Sequence, residues 1–248
     1  MEKLKILGHR GASGYAPENT MEAFRLAIQQ HADGFEIDIH ITKDGEIVVI
    51  HDDTIDRTSN GTGNVTDLTL AELKQFNYNA GFEQEYATAE IPTLSQVLEL
   101  VKTHNLYLNI EIKDIMTNVG KYDGLNVAAA KLVQEYELVD QVIFSSFNHS
   151  SMVELKQACP EISTGLLHFS KLYQGEEYAK SANADALHPL FSIVDKSTVE
   201  QAHQQGIQIN AWTVNQAAVM EEMIDAGVDA IITDFPDVAY RLRESKQA

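Results

Sequence analysis

Two short stretches place carboxylates where they can act together. In Gly34-Phe35-Glu36-Ile37-Asp38-Ile39, Glu36 and Asp38 are two residues apart, and in Leu108-Asn109-Ile110-Glu111-Ile112-Lys113 the same spacing joins Asn109, Glu111 and Lys113. Both stretches read as β-strands, in which residues i and i+2 share a face. Glu36 and Asp38 then point one way while Phe35, Ile37 and Ile39 point the other, and Glu111 shares its face with Asn109 and Lys113. Three acids gathered from two such strands in a partly dehydrated site repel one another unless a cation neutralises them. Solvation, or pairing with a lysine, is the ordinary fate of a single acid; three on the polar faces of otherwise apolar strands point to a metal. All-oxygen ligands select a hard cation, Mg²⁺ or Ca²⁺, over zinc or copper.

His9 and His51 are the candidate proton-transfer pair, because imidazole titrates near about 6.5 and can accept or donate a proton close to neutrality. A histidine at a strand end is more often structural, and His31, His104, His149 and His203 read as surface helix or loop residues. What sets His9 and His51 apart is their company, Arg10 after the first and Asp52 after the second. Arg10 offers a planar fork suited to a phosphate or carboxylate, and Lys113 adds a second positive charge on the metal-site face. His188 is an outside candidate for the same neighbourhood.

These side chains need strands to aim them. Short apolar runs alternate with helix-like stretches along nearly the whole chain, the pattern of parallel βα units. Strands are expected over residues 5–8, 34–41, 106–112, 142–146, 164–168, 185–188, 208–212 and 229–233, with helices over 20–31, 94–104, 125–136, 150–158, 172–181, 196–205, 216–226 and 236–243. Such a series fits a closed (β/α)₈ TIM barrel; an open doubly wound sheet is disfavoured because its Gly-rich phosphate-binding fingerprint is missing. Asp44-Gly45 signals a two-residue hairpin turn, so residues 47–51 should run antiparallel to the second strand. Pairing Lys43 with Glu46 would set Asp38 opposite His51, with His9 and His51 facing each other across the mouth. Residues 52–92, richer in Asn, Gly, Thr and Asp, read as a small insertion within a single domain spanning 1–248.

Composition narrows the function classes. With 18 Lys plus Arg against 37 Asp plus Glu, the formal charge is −19, which excludes most binders of nucleic acid or anionic membranes. The apolar fraction of 44% is ample for a packed core at this length. Cys159 is the only cysteine, so no intrachain disulfide is expected. No apolar run is long enough to span a bilayer, and the first residues lack the pattern of a secretory signal; the expectation is a soluble, cytoplasmic protein.

Taken in order, a further set of short motifs carries a resemblance. His9-Arg10-Gly11, Pro17-Glu18-Asn19-Thr20, Glu36-Ile37-Asp38, His51-Asp52 with Arg57-Thr58, Glu111-Ile112-Lys113, Ser145-Ser146-Phe147, Trp212-Thr213-Val214-Asn215, and Gly227-Val228-Asp229 with Thr233-Asp234 resemble the glycerophosphodiester phosphodiesterase family, bacterial and cytoplasmic in type. The resemblance runs from Leu4 to Asp237, and its specificity lies in the ordered set, not in any one tripeptide. It implies a (β/α)₈ barrel with a small insertion after the His-Asp motif. It also implies Glu36, Asp38 and Glu111 as ligands of one divalent metal, His9 and His51 as general acid and base, and Arg10 and Lys113 on the phosphoryl oxygens. Glu18 would support His9 or Arg10 or touch the metal, Asn19 and Thr20 would start the helix, and Phe147 and Trp212 would line the glycerol or leaving-alcohol pocket. The family's activity is hydrolysis of glycerophosphodiesters to sn-glycerol 3-phosphate and an alcohol, through a cyclic phosphate, in glycerol and lipid metabolism. Ala230 departs from the Gly of many relatives. Two rival readings are a lyase with Lys113 as Schiff-base amine, weakened by Glu111 beside it, and a barrel that only binds a phosphorylated metabolite, weakened by the presence of both histidines.

Overall fold

The computed structural model describes residues 3–113 and 122–247. Strands run over Lys5–His9 (β1), Gly34–Ile41 (β2), Ile47–Val49 (β3), Tyr107–Ile112 (β4), Val142–Ser146 (β5), Ser163–His168 (β6), Ala186–Pro189 (β7), Gln208–Ala211 (β8) and Ala230–Thr233 (β9). Helices cover Met21–Gln29 (α1), Leu70–Leu73 (α2), Leu94–His104 (α3), Leu125–Glu135 (α4), His149–Ala158 (α5), Gly175–Ser181 (α6), Lys196–Gln204 (α7), Ala217–Ala226 (α8) and Pro236–Gln247 (α9). The hydrogen-bonded order is β1-β9-β8-β7-β6-β5-β4-β2, and β1 pairs with β2 to close the ring. All eight of these pairings are parallel, so the molecule is a (β/α)₈ TIM barrel with β3 appended to β2.

Two apolar layers hold the barrel. Outward-facing residues such as Phe35, Ile37, Leu108, Ile110, Phe144 and Ile231 join the inner faces of the helices in one large buried cluster. Inside the ring, Leu7, Ala230 and Ile232 make a separate small cluster. Strands buried on both faces explain why their sequences read as nearly continuous apolar runs. Helix ends are locally encoded: Thr20 caps α1 through Ala23 N, and Thr93 with Gln96 forms a reciprocal capping box on α3. Helix α6 starts at Gly175, later than expected from residue 172, because Gln174 has φ 53 and turns the chain just before it.

The hairpin differs from its expected register. Pairs are Ile39↔Val49, His40↔Val48 and Ile41↔Ile47, and Ile50 N donates to Asp38 O at 3.0 Å. Ile50, not His51, therefore lies opposite Asp38. The turn uses three residues, with Gly45 at φ 86 and its N–H donating to Thr42 O at 3.1 Å; one extra residue in the left-handed region slides the pairing by one. Beyond β3, the segment carrying α2 builds its own apolar cluster from Val48, Ile50, Ile55, Val65, Leu73, Tyr78 and Ile91.

Candidate active site

Catalytic side chains of such barrels gather at the C-terminal ends of the strands, and the sequence-predicted residues do so here. His9 ends β1, Glu36 and Asp38 are the third and fifth residues of the eight-residue β2, Glu111 is the penultimate residue of β4, and Lys113 follows that strand. Register sets the acids side by side, since Asp38 pairs with Glu111 across β2 and β4, and His9 with Glu36 across β1 and β2. One oxygen from each of Glu36, Asp38 and Glu111 lies within 4.8 Å of the others.

The electrostatics of the cluster suit a cation. Glu36 and Asp38 are buried, and Glu36 Oε1 and Asp38 Oδ1 accept no hydrogen bond. Burial, followed by repulsion from Asp38 and Glu111, raises the Glu36 carboxyl well above its usual range. Glu111 is also raised, by burial and Asp38, although Lys113 opposes this. Burial would raise Asp38 too, but Lys113, Arg10 and His51 outweigh it and hold its carboxyl low. Two buried carboxyls pushed toward neutrality beside orphaned oxygens are what a hard dication would relieve. The donor set therefore fits Mg²⁺ or Ca²⁺.

Around the acids stand the basic groups. Lys113 Nζ donates to Glu111 Oε1 at 2.7 Å and lies 3.4 Å from Asp38 Oδ1. Burial would lower its ammonium, but Asp38 and Glu111 raise it far above the ordinary lysine value. Carboxylates that favour the ammonium weaken the Schiff-base reading further. Arg10 has φ 54, and its backbone N–H donates to Glu36 Oε2 at 3.0 Å. Its guanidinium donates to Glu18 Oε1 at 2.8 Å, and its Nε lies 3.4 Å from Asp38 Oδ2. Glu18 is shared with Arg57, whose Nη1 and Nη2 donate to it at 2.7 and 2.8 Å. Arg57 and Arg10 overcome the burial of Glu18 and keep its carboxyl low.

Each histidine has an aspartate behind it. His9 Nδ1 is 2.6 Å from Asp234 Oδ1, and Asp234 is held in turn by Ser13 Oγ at 2.9 Å and Asn215 Nδ2 at 2.6 Å. His51 Nδ1 is 2.6 Å from Asp52 Oδ1, and Asp52 takes Arg57 Nε at 2.7 Å, which helps to bring its carboxyl down to about 2. An aspartate at Nδ1 leaves Nε2 of each ring for other work. Despite the shifted register, His51 reaches the site: β3 ends at Val49, and His51 Nε2 stands 3.1 Å from Lys113 Nζ.

Several contacts were not foreseen. Thr20 alone caps α1, while Asn19, buried and at φ 55, donates from Nδ2 to Asp38 Oδ2 at 2.8 Å. Ser13 comes from the first βα loop, Asn215 from the loop between β8 and α8 and Asp234 from the loop between β9 and α9, and only the Thr233-Asp234 and Asn215 motifs hinted at them. His40 lies buried between Tyr122 and the carbonyl of His51, which its Nε2 contacts at 3.0 Å. His188 is fully buried and bonded to Asn210 at 2.9 Å inside the ring, so it does not reach the mouth. Phe147 and Trp212 meet edge to face with centroids 5.5 Å apart, on the side of the ring beyond the acids.

A model of the glycerophosphoryl diester phosphodiesterase family matches residues 9–238. The chain is 40% identical to a glycerophosphodiester phosphodiesterase of Caldanaerobacter subterraneus subsp. tengcongensis, over 97% of this chain and 98% of that one. It is 37% identical to a glycerophosphodiester phosphodiesterase of Bacillus altitudinis, again over 97% and 98% of the two chains. Among solved structures, an Oleispira antarctica phosphodiesterase in complex with the product sn-glycerol-3-phosphate superposes with a TM-score of 0.89 at 30% identity, covering 97% of this chain and 96% of that one. With fold, strand-end residues and full-length similarity in agreement, the chain belongs to the glycerophosphoryl diester phosphodiesterase family.

Proposed function

We propose that this enzyme hydrolyses glycerophosphodiesters to sn-glycerol 3-phosphate and an alcohol, using one divalent metal and the His9–His51 pair. The observation that carries the reading is the triad of buried Glu36 and Asp38 with half-buried Glu111 within 4.8 Å, flanked by two histidines that each lean on an aspartate. Glu36, Asp38 and Glu111 would hold the ion, Mg²⁺ or Ca²⁺. When bound, it supplies Lewis-acid charge where negative charge grows on the phosphoryl group.

The chain's own groups do the rest. A phosphodiester is a stable monoanion, so Arg10 and Lys113 hold its nonbridging oxygens and offset the charge that develops there. One histidine takes the proton of the glycerol 2-hydroxyl as that oxygen attacks phosphorus. The other gives a proton to the departing alkoxide as its P–O bond breaks, leaving a cyclic phosphate. Water then opens the ring with the two histidines in exchanged roles, and both return to their starting protonation. Asp234 and Asp52 keep each Nδ1 protonated and each Nε2 turned to the reaction. Glu18 ties Arg10 to Arg57 and fixes the fork, and Phe147 with Trp212 lines the pocket for the organic part of the substrate. Residues 1–248 act as one domain, with 52–92 as an insertion that brings Asp52 and Arg57 to the site.

The test is release of glycerol 3-phosphate from several glycerophosphodiesters by metal-stripped enzyme, with each metal added back. Release that requires Mg²⁺ or Ca²⁺ is the expected result. Full release in chelator removes the metal from the reaction, and no glycerol 3-phosphate under any condition overturns the activity.

A further inference from the structure

The mouth of the barrel has two unlike halves. In the ring order β1, β2, β4, β5, β6, β7, β8, β9, the three acids, His9, Arg10 and Lys113 belong to the neighbouring strands β1, β2 and β4, with His51 and Asp52 just past the appended β3 and Asp234 just past β9. Facing them, Phe147 follows β5, Phe169 follows β6, and Trp212 follows β8. Phe147 is the middle ring: its centroid is 5.5 Å from Trp212 at an interplanar angle of 83°, and 5.9 Å from Phe169 at 46°. With Phe147 between the other two, the three rings make one contiguous aromatic patch. Trp212 is pinned by its Nε1, which donates to His188 O at 2.7 Å.

Core packing accounts in part for Trp212, which rests on the inner cluster of Leu7, Ala230 and Ile232, but not for the two phenylalanines. Phe147 is 36% exposed and Phe169 67% exposed, and neither belongs to any of the three apolar clusters of the described residues. Exposed aromatic rings grouped beside a reaction centre mark a surface kept for a ligand. Charge gives a second, independent constraint. At −19 the molecule repels anions and draws cations. A glycerophosphodiester of a neutral alcohol is an anion, whereas one of a quaternary amino alcohol is a zwitterion without net charge. Quaternary ammonium is also the cation that sheds water most readily to sit on aromatic faces.

We propose that Phe147, Phe169 and Trp212 form a leaving-group subsite that recognises a quaternary ammonium, so that choline diesters are preferred over diesters of neutral alcohols. This rests on the activity proposed above. The phosphoryl group lies against the ionic half, and the trimethylammonium projects to the aromatic half.

The experiment compares kcat/KM for glycerophosphocholine with that for its carbon isostere, in which a tert-butyl group replaces the trimethylammonium. A cation on exposed rings is worth about two- to fivefold, and the wild-type ratio should show it. Phe169→Leu keeps apolar bulk at an exposed position and should bring the ratio close to one, while Phe169→Tyr, which keeps a ring, should retain it. Trp212 is the only tryptophan, so its emission reports occupancy without turnover: glycerophosphocholine should shift it saturably, at lower concentration than the isostere. A wild-type ratio of one, or a ratio unchanged in Phe169→Leu, overturns the subsite. Tryptophan binding selective for the choline diester, with no glycerol 3-phosphate formed, supports the subsite and overturns the hydrolysis instead.

Discussion

Each of the two histidines is set by a carboxylate on its Nδ1, yet the two carboxylates are anchored differently. Asp52 leans on the cation of Arg57, and Asp234 on the neutral donors Ser13 and Asn215. His9→Ala and His51→Ala should fold as wild type, judged by circular dichroism and thermal midpoint, and each should lose about 10² to 10⁴ in kcat. A near wild-type rate from either variant removes that residue from proton transfer. Asp234→Asn should lower kcat by at least about tenfold while leaving KM within about twofold, because it disturbs the orientation and tautomer of His9 more than substrate binding. An unchanged kcat would make Asp234 a bystander. At this scale the sequence was legible where side chains repeat along a strand: period-two arithmetic put Glu36 with Asp38 on one polar face and Glu111 with Lys113 on another, and the pairing of β2 with β4 joins the two faces. It was illegible where loops fold back. Asn19 read as a helix start because it precedes Thr20, but one cap suffices, and the left-handed φ of Asn19 turns its amide onto Asp38 instead. The Asp234–His9 contact joins residues 225 positions apart, which no local pattern encodes.

The elements followed from apolar periodicity, and their ends moved by only a few residues, since caps such as Thr20 and Thr93 are written into the chain. The hairpin register was the exception. Asp44-Gly45 is compatible with either a two-residue or a three-residue turn, and the choice slides every pair by one. His51 still arrives because it lies past the end of β3, where the pleat no longer dictates direction. The seam between β2 and β4, which carries all three acids, is unusually close: a Cβ placed on Gly34 would stand 1.8 Å from Tyr107 O. Gly34→Ala should therefore force these strands apart, cost about 1–3 kcal/mol of stability and weaken metal binding. Denaturant midpoints and calorimetric metal titration check both effects, and a wild-type midpoint would show that the seam can yield.

At the level of the whole molecule, the barrel interior carries polar groups that protonation can strain. His188 is fully buried against Asn210, and burial, with His168 nearby, lowers its imidazole to about 3. An unfolded histidine titrates near about 6.5, so between those values the unfolded chain binds a proton that the folded chain refuses. Stability should fall as pH drops below about 6.5, with a contribution from this one group approaching ~1.4 kcal/mol per pH unit. Urea unfolding at a series of pH values should show the slope, and His188→Gln should flatten it; an equally steep slope in the variant would assign the effect elsewhere. Among the described residues, no helix is long and apolar enough to cross a membrane, which agrees with the absence of long apolar runs. The central claim is that three strand-borne carboxylates converge to hold one hard dication. Calorimetric titration of Mg²⁺ or Ca²⁺ into metal-stripped protein tests it most directly. One site per chain in the wild type, lost in Glu36→Gln and in Glu111→Gln while both variants remain folded, is the predicted result; binding that survives both substitutions, or no binding to the wild type, contradicts it.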